Sequence, residues 1–345
     1  MYVPSKTLTV PLAAAVAATL ALGACSSGKS SSSGGTSGSS KVAVVIKGLD
    51  NPFFQSMESG VKDKAASDSV SVEVQAANSI TDTTGQADKL AALANQDYSC
   101  FVVNPISGTN LIQGIAQLAA KHKTIVNIDS PVDASAAKSA NATVATYIGT
   151  DNTAAGKLAG AEMVKLLPSG GSVAAIGGTA GDVTSGARVT GFQQGIAGTS
   201  SIKFTQTIAA NWDRQEALTQ AQTILRSNPT LAGFFVANDD MALGVARAIA
   251  SAGKTGTVKV ISVDGIKDAL TAVQNGELSA VVAQYPYVIG SMGVEACKAA
   301  TAGKTLPPNV AAPVELVTKA DAAKALAATP KPFGTYTDPF ADLTK

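Results

Sequence analysis

Apolar positions along this chain fall into short unbroken runs, and the stretches between them repeat at helical spacing. The first run, Val42-Ala43-Val44-Val45-Ile46, has no alternation. A run without a polar face reads as a strand buried on both sides, as in a parallel sheet. Further runs predict strands at 70–75, 99–103, 124–128, 145–149, 172–177, 203–209, 232–236, 258–263, 279–283 and 314–317. Amphipathic stretches at 53–67, 85–95, 153–167, 214–227 and 241–252 predict helices between them. Such alternation gives parallel sheets with helices on both faces. So many strands exceed one comfortable sheet, and 345 residues exceed one ordinary domain. The predicted fold class is therefore α/β, with two Rossmann-like lobes.

Composition sharpens this picture. Apolar residues make up 46% and charged residues 15%, which supplies a sizeable core and excludes bulk disorder. Lys6 is the only charge before Cys25, and without it basic and acidic residues balance. That leaves no electrostatic footprint for nucleic acid.

The amino terminus reads as a targeting segment. Lys6 is a short positive start, and 8–22 is an apolar run too short to span a bilayer comfortably. It ends in Leu22-Gly23-Ala24-Cys25, which resembles the bacterial lipobox. The resemblance implies removal of residues 1–24 as a signal peptide and a lipid on Cys25. The plainer alternative is an ordinary signal peptide with an incidental cysteine. Residues 26–40 are almost all Ser and Gly, a flexible tether with an average reach of about 20 Å. Lipid, tether and globular body together describe an exported protein anchored at the outer (or periplasmic) face of the cell membrane.

Two cysteines remain, Cys100 in an apolar strand and Cys297 in a Gly/Ala-rich helix. They read either as two buried thiols or as a disulfide, and the sequence does not choose. With the single His122 they are too few for a metal site, and no cofactor is implied.

The candidate chemistry lies at the carboxyl ends of the strands. Lys47, Asn51, Phe53 and Phe54 follow the first, with Pro52 suited to the first turn of a helix and Asn51 to its N-cap. Asn104, Asp129 with Ser130, Asn238, Asp264 and Gln284 follow later strands. Arg188 comes after a Gly-rich loop at 177–186, and Trp212 follows the run at 203–209. Each alone can be a cap or turn residue, as Asp239 and Asp240 are read here. As a set they sit where open α/β sheets bind ligands. Their types suit a sugar: carboxylates, amides and a guanidinium for the hydroxyl rim, aromatic rings for the C–H faces.

These residues carry a resemblance. Asn51-Pro52-Phe53-Phe54, Asn104-Pro105, Asp151-Asn152, Arg188 with Gly191-Phe192, Trp212-Asp213-Arg214, Asn238-Asp239-Asp240, Asp264-Gly265 and Gln284 follow one another as in the periplasmic sugar-binding proteins of the ribose, allose and galactose group. The likeness covers nearly all of 41–318. It implies the type I periplasmic-binding-protein fold, with a hinge crossed three times, near Thr150-Asp151, Gln284-Tyr285 and Val317. The first lobe would be 41–150 plus 285–316, and the second 151–284 plus 317–345. The implied pocket comprises Lys47, Asn51, Phe53, Phe54, Asn104, Asp129, Arg188, Trp212, Asn238, Asp264 and Gln284. Lys47 matches a lysine of allose-type receptors. Ser130 stands where ribose-type receptors usually carry arginine, and the tail beyond Lys319 runs past the usual end.

The function so implied is that of a monomeric solute-binding lipoprotein of an ABC sugar importer. It would bind a monosaccharide, an allose-like hexose before ribose, and deliver it to a permease with its ATPase. A polyol or furanose-like ligand is the alternative. An enzyme fits poorly, because no Ser/His/Asp set can be assembled and the carboxylates come with stacking and amide residues that favour retention over cleavage. A transcription regulator of this fold would need a helix-turn-helix where the leader stands.

Overall fold

The structure, a computed structural model, describes residues 41–344. The leader, Cys25 and the tether lie outside the described residues. The first half of the chain alternates as β1 (Lys41–Ile46), α1 (Pro52–Ser67), β2 (Ser71–Ala76), α2 (Thr83–Leu93), β3 (Cys100–Val103), α3 (Ile112–Ala120), β4 (Thr124–Ile128), α4 (Ala134–Ser139) and β5 (Thr146–Gly149). The second half repeats the alternation as α5 (Asn152–Leu166), β6 (Gly171–Gly177), α6 (Val183–Ile196), β7 (Ile202–Ala209), α7 (Arg214–Ser227), β8 (Leu231–Val236), α8 (Asp239–Ser251), β9 (Lys259–Asp264), α9 (Lys267–Asn275) and β10 (Ala280–Gln284). Then come α10 (Pro286–Thr301), β11 (Asn309–Ala311), β12 (Val314–Thr318) and α11 (Ala322–Ala328).

The strands form two sheets, ordered β11-β5-β4-β3-β1-β2 and β12-β10-β9-β8-β6-β7. All pairs are parallel except β10 with β12. The unbroken run in β1 explains itself here. Val42, Val44 and Ile46 face one apolar layer, with α1 and α10, while Ala43 and Val45 face the other, with α2 and α3. In β6, Ala174 and Ile176 face one layer and Val173 and Ala175 the other. Strands buried on both faces must find helices on both sides, and the parallel crossovers supply them.

The chain passes from the first sheet to the second after β5, returns after β10, and leaves again between β11 and β12. That third passage falls at Ala312-Pro313, a little before Val317. Pro313 cannot donate to a ladder, so the chain ends one short strand and begins another in the opposite sheet. Val314, Glu315 and Leu316 therefore pair with β10, not with the first sheet. β11 escaped the sequence reading because its three residues are exposed, buried and exposed, with no apolar run to see.

Cys100 and Cys297 form a disulfide, with Cα atoms 5.7 Å apart and 197 residues between them in sequence. It ties β3 to α10, the helix that returns after the whole second half has been inserted.

Candidate functional site

The carboxyl ends of the two sheets enclose a cavity of about 360 Å³. Of the eleven pocket residues expected from the sequence, nine line it: Lys47, Asn51, Phe53, Phe54, Asp129, Arg188, Trp212, Asn238 and Asp264. Asn104 and Gln284 do not. Asn104 is fully buried behind the wall, where its Oδ1 accepts from the Ser130 N–H at 3.4 Å. Gln284 stands behind Asp264, donating Nε2 to its Oδ1 at 2.8 Å.

The two asparagines do double duty. Asn51 Oδ1 accepts from the Phe53 N–H at 2.9 Å and caps α1. Asn238 Oδ1 accepts from the Met241 N–H at 3.0 Å and caps α8. With each oxygen committed to a helix N-terminus, each Nδ2 is a donor beside the cavity. Asp213, by contrast, only caps α7, and Asp240 pairs with Arg214 at the surface.

Arg188 and Asp264 form the charged centre of the second lobe's wall. Arg188 donates Nε to Asn152 Oδ1 (2.8 Å), and Nη1 to the Ala237 carbonyl (2.6 Å) and Asp264 Oδ1 (3.0 Å). None of the described hydrogen bonds uses Nη2. Burial pushes Asp264 up to about 6; Arg188 pulls it down, and Asp129 on the facing lobe pushes it up again. The buried Asp239 holds the turn beneath Asp264. It accepts from Ser262 Oγ (2.5 Å), Gly265 N–H (2.6 Å) and Ile266 N–H (2.8 Å), and burial raises its pKa.

The first lobe's wall is aromatic and basic. Phe53 and Phe54 meet edge to face at 5.2 Å, and Lys47 Nζ lies 5.4 Å over the Phe54 ring. Lys47 Nζ also donates to Ser130 Oγ at 2.7 Å. Asn127, buried at the end of β4, fixes the loop below: it donates to the Ser130 carbonyl (2.9 Å) and accepts from the Val132 N–H (3.0 Å). Across the cavity Arg188 lies 6.0 Å over the Trp212 ring. The indole lies flat on Gly178, where an added Cβ would come within 2.1 Å of it, so glycine is required there.

Three wall residues, Asp129, Trp212 and Asp264, carry positive φ (59°, 62° and 138°). Non-glycine residues rarely adopt this conformation, and such strain concentrates at functional sites. The remaining lining, Ser130 apart, was not expected from the sequence: Ile80, Thr81 and Thr83 after β2, residues 106–108 after β3, Pro131 after β4, and residues 179–184 after β6. The signal that could have found them is their position, since every one follows the carboxyl end of a parallel strand. Among the described residues no group of His, Cys, Asp or Glu could hold a metal ion.

Residues 42–305 match the model of the periplasmic binding protein domain. The chain belongs to that family. It is 38% identical over 277 residues to the D-allose-binding periplasmic protein of Escherichia coli, covering 80% of this chain and 89% of that protein. It is 30% identical over 278 residues to the ribose import binding protein of Bacillus subtilis, covering 81% and 87%. Among solved structures it is similar to an ABC transporter periplasmic solute binding protein from Actinobacillus succinogenes with bound D-allose. That match has a TM-score of 0.78 and 26% identity, over 82% of this chain and 99% of that one. The two α/β sheets are the type I fold of such proteins, and membership of a binding family answers the enzyme alternative.

Proposed function

We propose that this protein is the solute receptor of an ABC importer and binds one monosaccharide between its lobes, with an allose-like hexose preferred to ribose. The observation that carries this is the cavity of about 360 Å³ with aromatic rings on two sides and a hydrogen-bonding rim between them. Phe53, Phe54 and Trp212 cover the C–H faces of a ring. Asp129 and Asp264 accept from hydroxyls, and Arg188 Nη2 with the Asn51 and Asn238 amides donates to them.

The preference for a hexose rests on Lys47 and Ser130. Ser130 leaves out the guanidinium of a ribose-type pocket, and the Lys47 ammonium reaches the space so opened, 2.7 Å from Ser130 Oγ. The similarity to a D-allose-binding protein supports the same reading. The lobes are taken as 41–150 with 285–316 and 151–284 with the chain from 317, adjusted at the third passage by the pairing of β12. The ligand closes them by binding the closed form more tightly, and the closed form is delivered to the permease.

A thermal-shift screen of residues 41–345 against pentoses, hexoses and polyols tests the function. A ligand present at 100 times its Kd should add about 2.7 kcal/mol, and a screen in which no sugar or polyol shifts the melt would refute the reading. The lipobox-like motif ending at Cys25 and the Ser/Gly tether support a lipid-anchored monomer at the outer (or periplasmic) face of the cell membrane. Palmitate labelling of the full chain, lost on Cys25→Ser, checks the anchor.

A further inference from the structure

The cleft leaves the last segment of the chain unexplained. The family model ends at residue 305, yet the chain continues through β12 and α11 into an ordered tail. α11 packs on α9 and β12, both elements of the second sheet's lobe. From Thr329 the chain turns toward the first sheet's helices while remaining bonded to β12. Lys331 Nζ lies 5.8 Å over the ring of Tyr287 on α10. The N–H groups of Phe333 and Gly334 donate to Glu315 on β12, at 3.1 and 2.7 Å. The same carboxylate accepts from the Tyr285 hydroxyl, at the second passage between lobes.

Further on, the Asp338 carboxyl comes within side-chain hydrogen-bonding reach of the Glu295 carboxyl of α10, whose pKa burial raises to about 7 with Asp338 adding to the shift. Glu295 is itself paired with Lys64 of α1 at 2.5 Å. Phe340 is fully buried, with Phe333 and Leu343 packed partly buried around the same apolar layer. α1 and α10 both lie on the first sheet. The tail thus passes between the lobes a fourth time, and Glu315 joins it to the second and third passages. The sequence reading had placed it wholly with the second lobe.

A second cavity, of about 260 Å³, lies beside this tail. Its walls are Pro52, Phe53 and Ser56 of the first lobe, Ile266 and Leu270 of the second, and Thr329-Pro330 of the tail. A hinge rotation must change the width of a space bounded by both lobes, and the tail is fastened on both sides of it. The arrangement so fastened is one in which both lobes wall a single ligand-sized cavity.

We propose that residues 329–344 are a strap across the hinge that holds the two lobes close to their ligand-binding spacing. The strap favours the arrangement in which its contacts are made. It raises the population of the binding-competent state and so the apparent affinity for a ligand of that state. The affinity arm rests on the sugar-receptor reading; the shape arm does not.

The experiment uses residues 41–345, the body that holds both sheets and their cores, compared with a form ending at Thr329. A Lys331→Ala/Glu315→Ala form removes the tail's contacts to Tyr287 and β12, leaves the Asp338–Phe340 turn intact, and decides the matter if the truncated form does not fold. Small-angle scattering without ligand should give a larger radius of gyration for the altered forms. Calorimetry with D-allose should give affinity weaker by about three- to tenfold, from the smaller competent fraction. Unchanged scattering and unchanged affinity in a folded altered form would overturn the strap. If D-allose fails to bind the unaltered protein as well, the ligand assignment falls, while the scattering comparison still decides the strap.

Discussion

The two lobes share one winding and present different walls. Strand order β5-β4-β3-β1-β2 in the first sheet repeats as β10-β9-β8-β6-β7 in the second. On that common frame the second wall is wired in advance. Arg188 has three partners, Asp264 is gripped by Arg188 and Gln284, and Asp239 fixes the turn below. The side chains of the first wall are less tied: two rings, a lysine reaching a serine hydroxyl, and an Asp129 carboxylate that accepts from Ser130 Oγ at 3.3 Å, while its backbone carbonyl is held by the Tyr147 hydroxyl at 2.6 Å. The lobes differ in covalent structure too. The second is built almost wholly from one continuous stretch, while the first is completed by α10 after the insertion and stapled there by Cys100–Cys297. The duplicated frame sets where residues stand, and side-chain partners set how firmly they stand.

The largest effect should come from the staple. A disulfide closing a loop of about 200 residues contributes about 5 kcal/mol in the chain-entropy model, and removing native ones typically costs about 2–5 kcal/mol. Reduction, or the Cys100→Ser/Cys297→Ser form, should therefore lower stability by about that much, and in the first lobe. Trp212 is the sole tryptophan and sits in the second lobe, so urea unfolding can be followed separately by its fluorescence and by far-UV circular dichroism. The two transitions should separate on reduction, with part of the dichroism lost first. Coincident curves, both unmoved, would mean that the lobes do not differ in this way.

Next in size are the wired charges. Arg188→Ala and Asp264→Ala each remove a charged hydrogen-bonding group from the cleft, costing about 2–3 kcal/mol in affinity. Calorimetry should show binding weaker by roughly 30- to 150-fold. Near-unaltered affinity in both folded variants would mean that the second wall does not grip the ligand.

Much of this contrast could be read in the sequence, and the rest fails for definable reasons. β1 and β6 were legible because burial on both faces forces unbroken apolar runs. Asn51, Asp129, Arg188, Trp212, Asn238 and Asp264 could be picked out because, though each alone could be a cap or turn residue, they recur as a set after successive strands. Depth was not legible: Asn104 and Gln284 end strands as the others do, but their side chains are spent on Ser130 and Asp264 in a supporting row. Ile80 and Ile106 are ordinary loop residues whose role comes only from the folded path of the loops. The disulfide joins positions 197 residues apart, beyond any local pattern. The tail's return to the first lobe rests on single contacts such as Asp338 with Glu295, which leave no periodicity.

A third prediction tests the looser wall. Lys47→Ala removes one charged donor whose bond to Ser130 leaves it further donor capacity toward a ligand. Affinity for D-allose should fall by about 1.5–2 kcal/mol, or roughly 10- to 30-fold, and affinity for ribose by much less. A screen in which ribose binds best and Lys47→Ala changes nothing would break the hexose preference and leave the second wall's role intact.

The smallest expected effect is on pH, and in the second wall it moves affinity and stability in opposite directions. Burial raises Asp264 from 3.8 to about 6, with Arg188 opposing and Asp129 adding to the shift. A carboxyl whose folded pKa lies above its unfolded value favours the fold most below the unfolded pKa. That contribution is lost as pH rises through about 6. The ligand requires the opposite form, because only the ionised carboxylate accepts two hydroxyl hydrogen bonds without keeping a proton of its own. Between pH 7 and pH 5 affinity should therefore fall by up to about tenfold, following the ionised fraction of one group near 6. Over the same interval the Asp264 contribution to the stability of the ligand-free protein should rise. The difference in melting temperature between the unaltered chain and Asp264→Asn, taken at each pH, isolates that contribution from Asp239 and the other acids. Affinity and stability moving in the same direction, or an affinity profile that Asp264→Asn leaves unchanged, would show that Asp264 does not meet the ligand as a carboxylate.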